Sequence, residues 1–250
     1  MFSYPEFNNG KQILSDIDSN MMMDAAVYKL NKGDIIEVKE SAKETAVLLI
    51  CGNIEYSYCE ETRVAERADC FNVLPYCLHF PKDTAVKIRA LSDSEILIQK
   101  TLNENTFPVK YYEPKDCSYF TSCDGKWENQ AVREVITVFD YFNAPYSNMV
   151  IGEVIAKQGR WWGYIPHSHP HPEVYYYRFE RPEGFGCCVI GDDNAYIIKH
   201  GSVAAIPGGL IHPQVTAPGY RMYCCWMIRH LDGNPWTDRI DDERYTWLLK

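Results

Sequence analysis

The sequence predicts an all-β fold of two tandem barrels, and three observations support this prediction. Short runs rich in Val, Ile, Tyr and Phe alternate with turns rich in Gly, Pro, Asp and Asn, as in strands joined by tight turns. Helical periodicity is scarce, and only the closing stretch 236–250 is a candidate for a short helix or an extended tail. The third observation is a weak repeat, because each half contains a similar succession of Gly turns and strands ending at Pro.

The repeat divides the chain into two predicted domains of ordinary size, 1–125 and 126–250. A polar stretch from 113 to 129 is the expected connection between them. Aromatic residues make up 14% of the chain, which favours strands because flat rings pack well on a pleated surface.

Charge and hydropathy exclude several classes of protein. The formal net charge is −9 and no basic run is present, which argues against a nucleic-acid-binding surface. No stretch approaches the roughly 20 apolar residues that a membrane-spanning helix needs. The first residues contain neither a basic start nor an apolar run, so we expect a cytoplasmic location with no membrane partner.

The ten cysteines form no C-x-x-C pair, so a zinc ribbon or a redox pair is not indicated. Cys187–Cys188 and Cys224–Cys225 are neighbours within predicted strands. Adjacent residues on a strand point to opposite faces, so neither pair is suited to chelate one ion. We expect reduced thiols that pack as small apolar residues.

A cluster of metal-ligating residue types lies at PHSHPHPE, residues 166–173. His167 and His169 are two residues apart and would share one face of a strand, while Glu173 is close enough for a bend to bring it to the same centre. His171 is an alternative to His169, although the spacing to Glu173 favours His169. Imidazole and carboxylate ligands suit zinc, manganese, iron or nickel.

A second segment, GSVAAIPGGLIH at 201–212, completes the pattern. Its Gly, Pro, Gly and His spacing matches the second signature of the cupin superfamily, and His-x-His followed by Glu resembles the first. Gly201 opens a turn, Pro207 and Gly209 shape the next turn, and His212 then faces into the barrel. We therefore predict two tandem cupin (double-stranded β-helix) barrels with a metal held by His167, His169, Glu173 and His212 in the second.

The first barrel is expected to lack metal ligands. Its counterpart of the ligand segment contains no histidine, and Val86 occupies the position that corresponds to His212. We expect the three remaining histidines to be surface or hydrogen-bonded residues, namely His79, His200 and His230.

The second half resembles the 5-deoxy-glucuronate isomerase family of myo-inositol catabolism, a bicupin family related to the 5-dehydro-4-deoxyuronate isomerases of pectin breakdown. The segments that carry the resemblance are Gly159–Trp161, Pro166–His169, Glu173–Phe179, Pro182–Phe185, Gly201–Pro213 and Ala217–Tyr220, with the closing Trp236 and Trp247. The first half resembles the family more loosely. Two departures bear on the substrate: the loop before Glu173 is only Pro-His-Pro, and Trp162-Gly163 stands where the family tends to have two serines.

The resemblance implies a metal-dependent aldose–ketose isomerase of a uronate-type sugar acid, with zinc or manganese favoured and iron or nickel possible. Isomerisation moves a proton between adjacent carbons and therefore needs a base. The candidate catalytic residues are Glu153, Tyr175 and Tyr177, with a hydroxide at the metal as an alternative. The candidate substrate-binding residues are Arg178, Lys157, Arg160 and Tyr220.

Two other functions fit the same ligand types. One is a non-catalytic sugar-binding cupin, and the other is a metal-dependent cupin oxygenase that uses iron. The expected partner is a small-molecule sugar acid, and the expected assembly is a homodimer.

Overall fold

The computed structural model describes all 250 residues, which form 22 strands and three short 3₁₀ helices. The strands up to residue 112 are β1 (Phe2–Ser3), β2 (Lys11–Ser15), β3 (Asp24–Leu30), β4 (Ile35–Val38), β5 (Lys43–Tyr58), β6 (Glu61–Arg67), β7 (Tyr76–Phe80), β8 (Val86–Ala90), β9 (Ser94–Leu102) and β10 (Lys110–Tyr112). The later strands are β11 (Ser118–Ser122), β12 (Arg133–Phe139), β13 (Met149–Ala156), β14 (Trp161–Trp162), β15 (His167–Ser168), β16 (Glu173–Phe179), β17 (Phe185–Ile190), β18 (Asn194–Lys199), β19 (Val203–Ile206), β20 (Gln214–Thr216), β21 (Met222–Arg229) and β22 (Ile240–Asp241). The helices are η1 (Pro114–Asp116), η2 (Trp127–Asn129) and η3 (Glu243–Leu249), and none is long and apolar enough to cross a bilayer.

The strands pair into four antiparallel sheets. The first half forms a nine-stranded sheet in which β10-β7-β5-β9-β3-β2 lie side by side. In the same sheet β6 and β8 pair with β5, and β4 pairs with β8. The second half forms a seven-stranded sheet in the order β1-β19-β16-β21-β13-β12-β11, a four-stranded sheet β14-β20-β17-β18 and the pair β15-β22. The prediction of an all-β chain in two tandem halves is confirmed.

The change from one sheet to the next lies earlier in the chain than the predicted division after residue 125. Strand β10 ends at Tyr112 in the first sheet, and β11 begins at Ser118 in the second. Strand β1 also belongs to the second half, because Phe2 pairs with Ala204 and Ser3 with Val203 on β19. The two halves are therefore joined by the pairing of β1 with β19 as well as by the connecting chain.

Three apolar cores fill the molecule. One lies inside the first half and contains Val86 among other apolar side chains, and another lies inside the second half. The third lies between the two large sheets and takes residues from both halves, such as Leu48 and Leu97 from the first and Tyr176 and Met227 from the second. The two sheets thus pack face to face over an apolar layer.

Alternation along the central strands decides which core each residue enters. On β16, Tyr175, Tyr177 and Phe179 enter the core of the second half, whereas Val174 and Tyr176 enter the layer between the halves. This follows from the two-residue period of a strand, which sends neighbouring side chains to opposite faces. Cys224 and Cys225 separate in the same way, and all ten cysteines are free thiols, as predicted.

A buried ion pair crosses the layer between the halves. The Arg67 guanidinium of β6 donates from both Nη groups to the two carboxylate oxygens of Glu153 on β13, each at 2.8 Å, and the Tyr223 hydroxyl donates to Glu153 Oε1 at 2.8 Å. Both charged side chains are fully buried. A buried charge that loses its partner retains the cost of desolvation, so this pair couples the two halves.

We predict that Glu153→Gln lowers the free energy of unfolding by about 3 kcal/mol, because it leaves the Arg67 guanidinium buried without a counter-charge. Denaturant-induced unfolding of the purified protein measures the difference. The control is Glu61→Gln, which breaks the exposed pair with Arg63 and is expected to cost less than about 1 kcal/mol. Equal losses in the two variants would show that the buried pair has no special part in stability.

Candidate metal centre

Three separate segments of the second half bring the predicted ligands together. His167 lies on β15, Glu173 begins β16, and His212 follows the turn after β19. The carboxylate of Glu173 faces the same side of β16 as Tyr175, which places it inside the second half. The ligands therefore converge at one end of the core of the second half.

The glycines of the second motif allow the two ligand segments to touch. A Cβ built on Gly208 would lie 1.8 Å from the Pro170 carbonyl oxygen, so no other residue fits there. Gly209 has a φ of +88°, which L-residues rarely adopt, and its N–H donates to the His169 carbonyl oxygen at 2.7 Å. This close approach fixes His212 next to His169.

His169, Glu173 and His212 form a compact buried group. Their ligand atoms all lie within 4.8 Å of one another. His169 Nε2 is 3.1 Å and His212 Nε2 is 3.3 Å from the same oxygen, Glu173 Oε2. The His167 ring lies beside the group, 5.2 Å from the His212 ring between centroids. The residues fit a metal site of histidine and carboxylate ligands.

The second ring nitrogen of each histidine is held by the backbone. Nδ1 of His167 lies 2.9 Å from the Ile165 carbonyl, that of His169 lies 3.1 Å from the His171 carbonyl, and that of His212 lies 2.8 Å from the Leu210 carbonyl. A carbonyl oxygen only accepts, so each Nδ1 carries a proton and Nε2 is the ring nitrogen left to face the centre. Such backbone contacts orient metal-binding histidines.

In this arrangement the histidine Nε2 atoms and the Glu173 carboxylate are acceptors that face one another, and a cation between them would balance the charge. The lone pairs at Nε2 of His169 and His212 face a carboxylate oxygen, and His212 Nε2 is buried without a hydrogen-bond donor. Two buried acceptors in contact repel unless a proton or a metal ion lies between them. A divalent ion satisfies all of them at once.

The protonation states suit metal binding near neutral pH. Burial tends to raise the pKa of Glu173, but the close contacts of its carboxylate with His169 and His212 outweigh this effect and hold the pKa at about 2. Burial, together with the charges of His212 and Arg239, lowers the pKa of His167 to about 3. At neutral pH the carboxylate is therefore ionised and the His167 ring is neutral, which are the forms that bind metals.

His171, the alternative to His169, is directed elsewhere. Its Nε2 lies 2.7 Å from the carbonyl oxygen of Asn234, to which it donates, and it is outside the compact group. The other three histidines also make hydrogen bonds: His79 with Glu44, His200 with the backbone of Phe179, and His230 with the backbone of Trp236.

Of the predicted catalytic residues, Tyr175 lies nearest the group. Its ring is 5.8 Å from the His212 ring, and burial together with the charge of Glu173 raises its pKa well above the ordinary value. The side chain is therefore protonated at neutral pH, and its hydroxyl is able to donate a hydrogen bond. Tyr177 lies two residues further along β16 on the same face, where its hydroxyl donates to Gln214 Oε1 at 2.5 Å.

The expected roles of Glu153 and Arg178 need correction. Both face the layer between the halves and not the metal centre, because they lie on the faces of β13 and β16 opposite Tyr175. Glu153 binds Arg67 and Tyr223, and Arg178 forms an ion pair with Glu95 of the first half. Alternation places Arg178 on that face, and no bulge turns it back.

The remaining predicted substrate-binding residues, Lys157, Arg160 and Tyr220, are also placed away from the group. They lie beside the end of β16 at Phe179, where Glu180 N donates to Arg221 O and Gly159 N donates to Ala217 O. Glu173 is at the opposite end of β16, six residues and about 20 Å away. The structure therefore does not bring these side chains to the metal centre.

The closing segment supplies side chains to which the sequence analysis gave no role in the site. Trp236 packs against His169 and Trp226, with ring centroids 6.3 Å and 5.8 Å apart. Strand β22 pairs with β15, so that Asp241 lies opposite His167. The resemblance at Trp236 was the only sequence signal for this part of the site.

Two cupin-like halves, of which the second holds a buried group of histidine and glutamate ligands, define a bicupin protein with a candidate metal centre. Solved structures support the fold. The chain superposes on an IolB-like protein from Salmonella typhimurium with a TM-score of 0.90 at 20% identity, covering 100% of this chain and 99% of that one. An oxalate decarboxylase from Lactobacillus farciminis gives a TM-score of 0.68 at 11% identity, with coverage of 97% and 87%.

The sequence comparisons are more specific. A model of the KduI/IolB family matches residues 2–248, and the chain therefore belongs to this family. Two proteins named 5-deoxy-glucuronate isomerase, from Geobacillus thermodenitrificans and Geobacillus kaustophilus, are each 26% identical over 214 residues. The alignments cover 79% of this chain and 76% and 75% of those proteins. The prediction of an isomerase is confirmed at the level of the family.

We predict that His212→Ala and His169→Ala each lower the affinity for a divalent ion at least about 100-fold, because each removes one nitrogen ligand. Elemental analysis after dialysis against a weak chelator measures the bound metal, and circular dichroism checks that the strands remain. His171→Ala is the matched control and is expected to retain metal. Retention by His169→Ala together with loss in His171→Ala would reverse the assignment of this ligand.

Proposed function

We propose that the protein catalyses the aldose–ketose isomerisation of a uronate-type sugar acid, 5-deoxy-glucuronate to 5-dehydro-2-deoxy-gluconate. The observation that carries the proposal is the group formed by His169, Glu173 and His212 in a member of the KduI/IolB family. The names of the two Geobacillus relatives support the choice of substrate.

The four predicted ligands would hold a divalent metal, with His167 beside the compact group as the fourth. Zinc or manganese is the proposed ion, and iron or nickel is compatible with the same ligands. When bound, such an ion would polarise the carbonyl and the hydroxyl on the adjacent carbon, and would favour loss of the proton from the carbon that bears the hydroxyl. The backbone contacts at each Nδ1 keep the three rings directed at the centre.

Tyr175 is the proposed proton donor to the sugar oxygen. Its phenol is neutral at working pH because burial and the nearby Glu173 carboxylate disfavour the phenolate. Trp162 packs on one side of the ring at 5.0 Å between centroids, which restricts its movement. A fixed neutral phenol next to the metal centre can protonate an oxygen as charge develops on it.

Unpaired donors near the centre also favour a ligand rich in oxygen. The indole N–H groups of Trp162, Trp226 and Trp236 and the Nε2 group of Gln214 are buried without hydrogen-bond acceptors. Buried donors are normally paired, so unpaired donors near a site suggest a ligand that supplies acceptors. A polyhydroxylated acid supplies several.

The direct test is to follow 5-deoxy-glucuronate by NMR in heavy water with the protein reconstituted with zinc or manganese. We expect the aldehyde signals to be replaced by those of the ketose, with deuterium incorporated from solvent at the carbon that receives the proton. His212→Ala is the inactive control. Consumption of oxygen would favour the oxygenase alternative, and binding without turnover would favour a sugar-binding protein.

Replacing the proposed proton donor tests its role separately. We expect Tyr175→Phe to lower kcat about 100-fold with little change in KM, because the hydroxyl acts in the transition state and not in binding. Tyr177→Phe removes a hydroxyl two residues along the same strand and is expected to change kcat only a few fold. A larger loss in Tyr177→Phe would move the proton donor to that residue.

The proposed partner is the sugar acid alone. Assembly as a homodimer and the cytoplasmic location remain predictions from the sequence, as does the absence of nucleic-acid and membrane partners.

A further inference from the structure

The segment that follows β21 crosses the metal centre. Strand β22 pairs with β15, with His167 opposite Asp241 and Ser168 opposite Ile240, and Asp242 N donates to the Pro166 carbonyl oxygen at 3.0 Å. The backbone of the closing segment is therefore hydrogen-bonded to the strand that carries a predicted ligand.

The register of this pair directs Arg239 toward the same side as His167. Residues directly opposite each other in an antiparallel pair project from the same face, so Asp241 shares a face with His167. Arg239 precedes Asp241 by two residues and, in an extended chain, shares that face too. The contact between Arg239 Nε and Asp241 Oδ1, at 2.9 Å, agrees with this placement.

The guanidinium of Arg239 retains binding capacity. Its Nε contacts Asp241, but its two Nη groups make no hydrogen bond within the chain, and the side chain is 32% exposed. Arg133, another arginine of this region, is different because its guanidinium already donates to the carbonyls of Ala131 and Tyr164. Arg178 is bound to Glu95 on the far side of the sheet.

Arg239 lies two residues before Asp241, whose backbone pairs directly with His167. A cation with two free Nη groups beside a metal centre is suited to bind a carboxylate in a bidentate manner.

We propose that Arg239 binds the carboxylate of the substrate and so selects sugar acids over neutral sugars. This inference rests on the proposed function, because it assigns one group of that substrate to one residue of the chain. The neighbouring Asp241 forms an ion pair at the Nε end of the guanidinium and leaves the two Nη groups for the ligand. The acid end of the substrate is thereby held by the closing segment, while the carbonyl end lies at the metal centre.

The test compares Arg239→Gln with Arg244→Gln in the metal-loaded protein. Arg244 lies on the same segment, but its guanidinium is bound to Asp192 and Asp242, so it is a matched control. We expect Arg239→Gln to raise KM for 5-deoxy-glucuronate about 100-fold with unchanged metal content, and Arg244→Gln to change KM less than about twofold. Arg239→Lys keeps the charge but not the bidentate geometry and is expected to raise KM about tenfold.

A binding measurement separates this inference from the proposed function. Quenching of tryptophan fluorescence by D-glucuronate, with D-glucose as the neutral probe, reports binding without turnover because three tryptophans surround the centre. Preference for glucuronate in the wild type and its loss in Arg239→Gln support the assignment, even if no isomerisation is found. An unchanged KM and an unchanged preference in Arg239→Gln overturn the assignment and leave isomerisation standing. Neither turnover nor binding by the wild type overturns both.

Discussion

The two-residue period of β13, β16 and β21 is the constraint on which the rest of the structure depends. These strands separate two cores, and each residue must enter one or the other. Glu173 and Tyr175 enter the second half and build the candidate centre, while Tyr176 and Arg178 build the contact between the halves. The same strands therefore hold the site and attach it to the first half, and a shift of register by one residue would exchange the two roles.

Inside the second half, the candidate site consists of acceptor groups that repel one another. Glu173, His169 and His212 present acceptors to a common point, and the Gly208–Gly209 turn holds their segments too close for the acceptors to separate. All three side chains are buried from bulk solvent, so the conflict is costly in the low-dielectric interior. A bound cation would resolve this conflict, and occupancy of the site and stability of the second half would then be linked.

The spacing of residues along the sequence allowed the predicted ligands and the position of Tyr175 to be identified. His167, His169, Glu173 and His212 follow from the motif, and alternation places Tyr175 beside Glu173. Residues whose placement depends on distant parts of the chain were not predictable. The partner of Glu153 is Arg67, which lies on the other half, and that of Arg178 is Glu95.

The placement of Lys157, Arg160 and Tyr220 away from the group has a related cause. These residues are close in sequence to ligand segments, but an extended strand carries the chain about 3.3 Å per residue, so closeness in sequence is lost within a few positions. The closing segment shows the converse. Arg239 is far from His167 in sequence, and only the pairing of β22 with β15 brings them together. A strand of two residues leaves almost no signal in the sequence.

Strand β1 has a consequence for how the chain reaches its native state. Its partner is β19, and Met1 O accepts a hydrogen bond from Ala205 N at 2.7 Å, so β1 pairs with residues that are made two hundred positions later. During synthesis β1 has no sheet to join until the second half emerges, and closing so long a loop is slow. Strand β1 is thus an edge strand that joins the sheet carrying Glu173 late in folding. A fusion tag placed before Met1 would lie at that edge of the sheet.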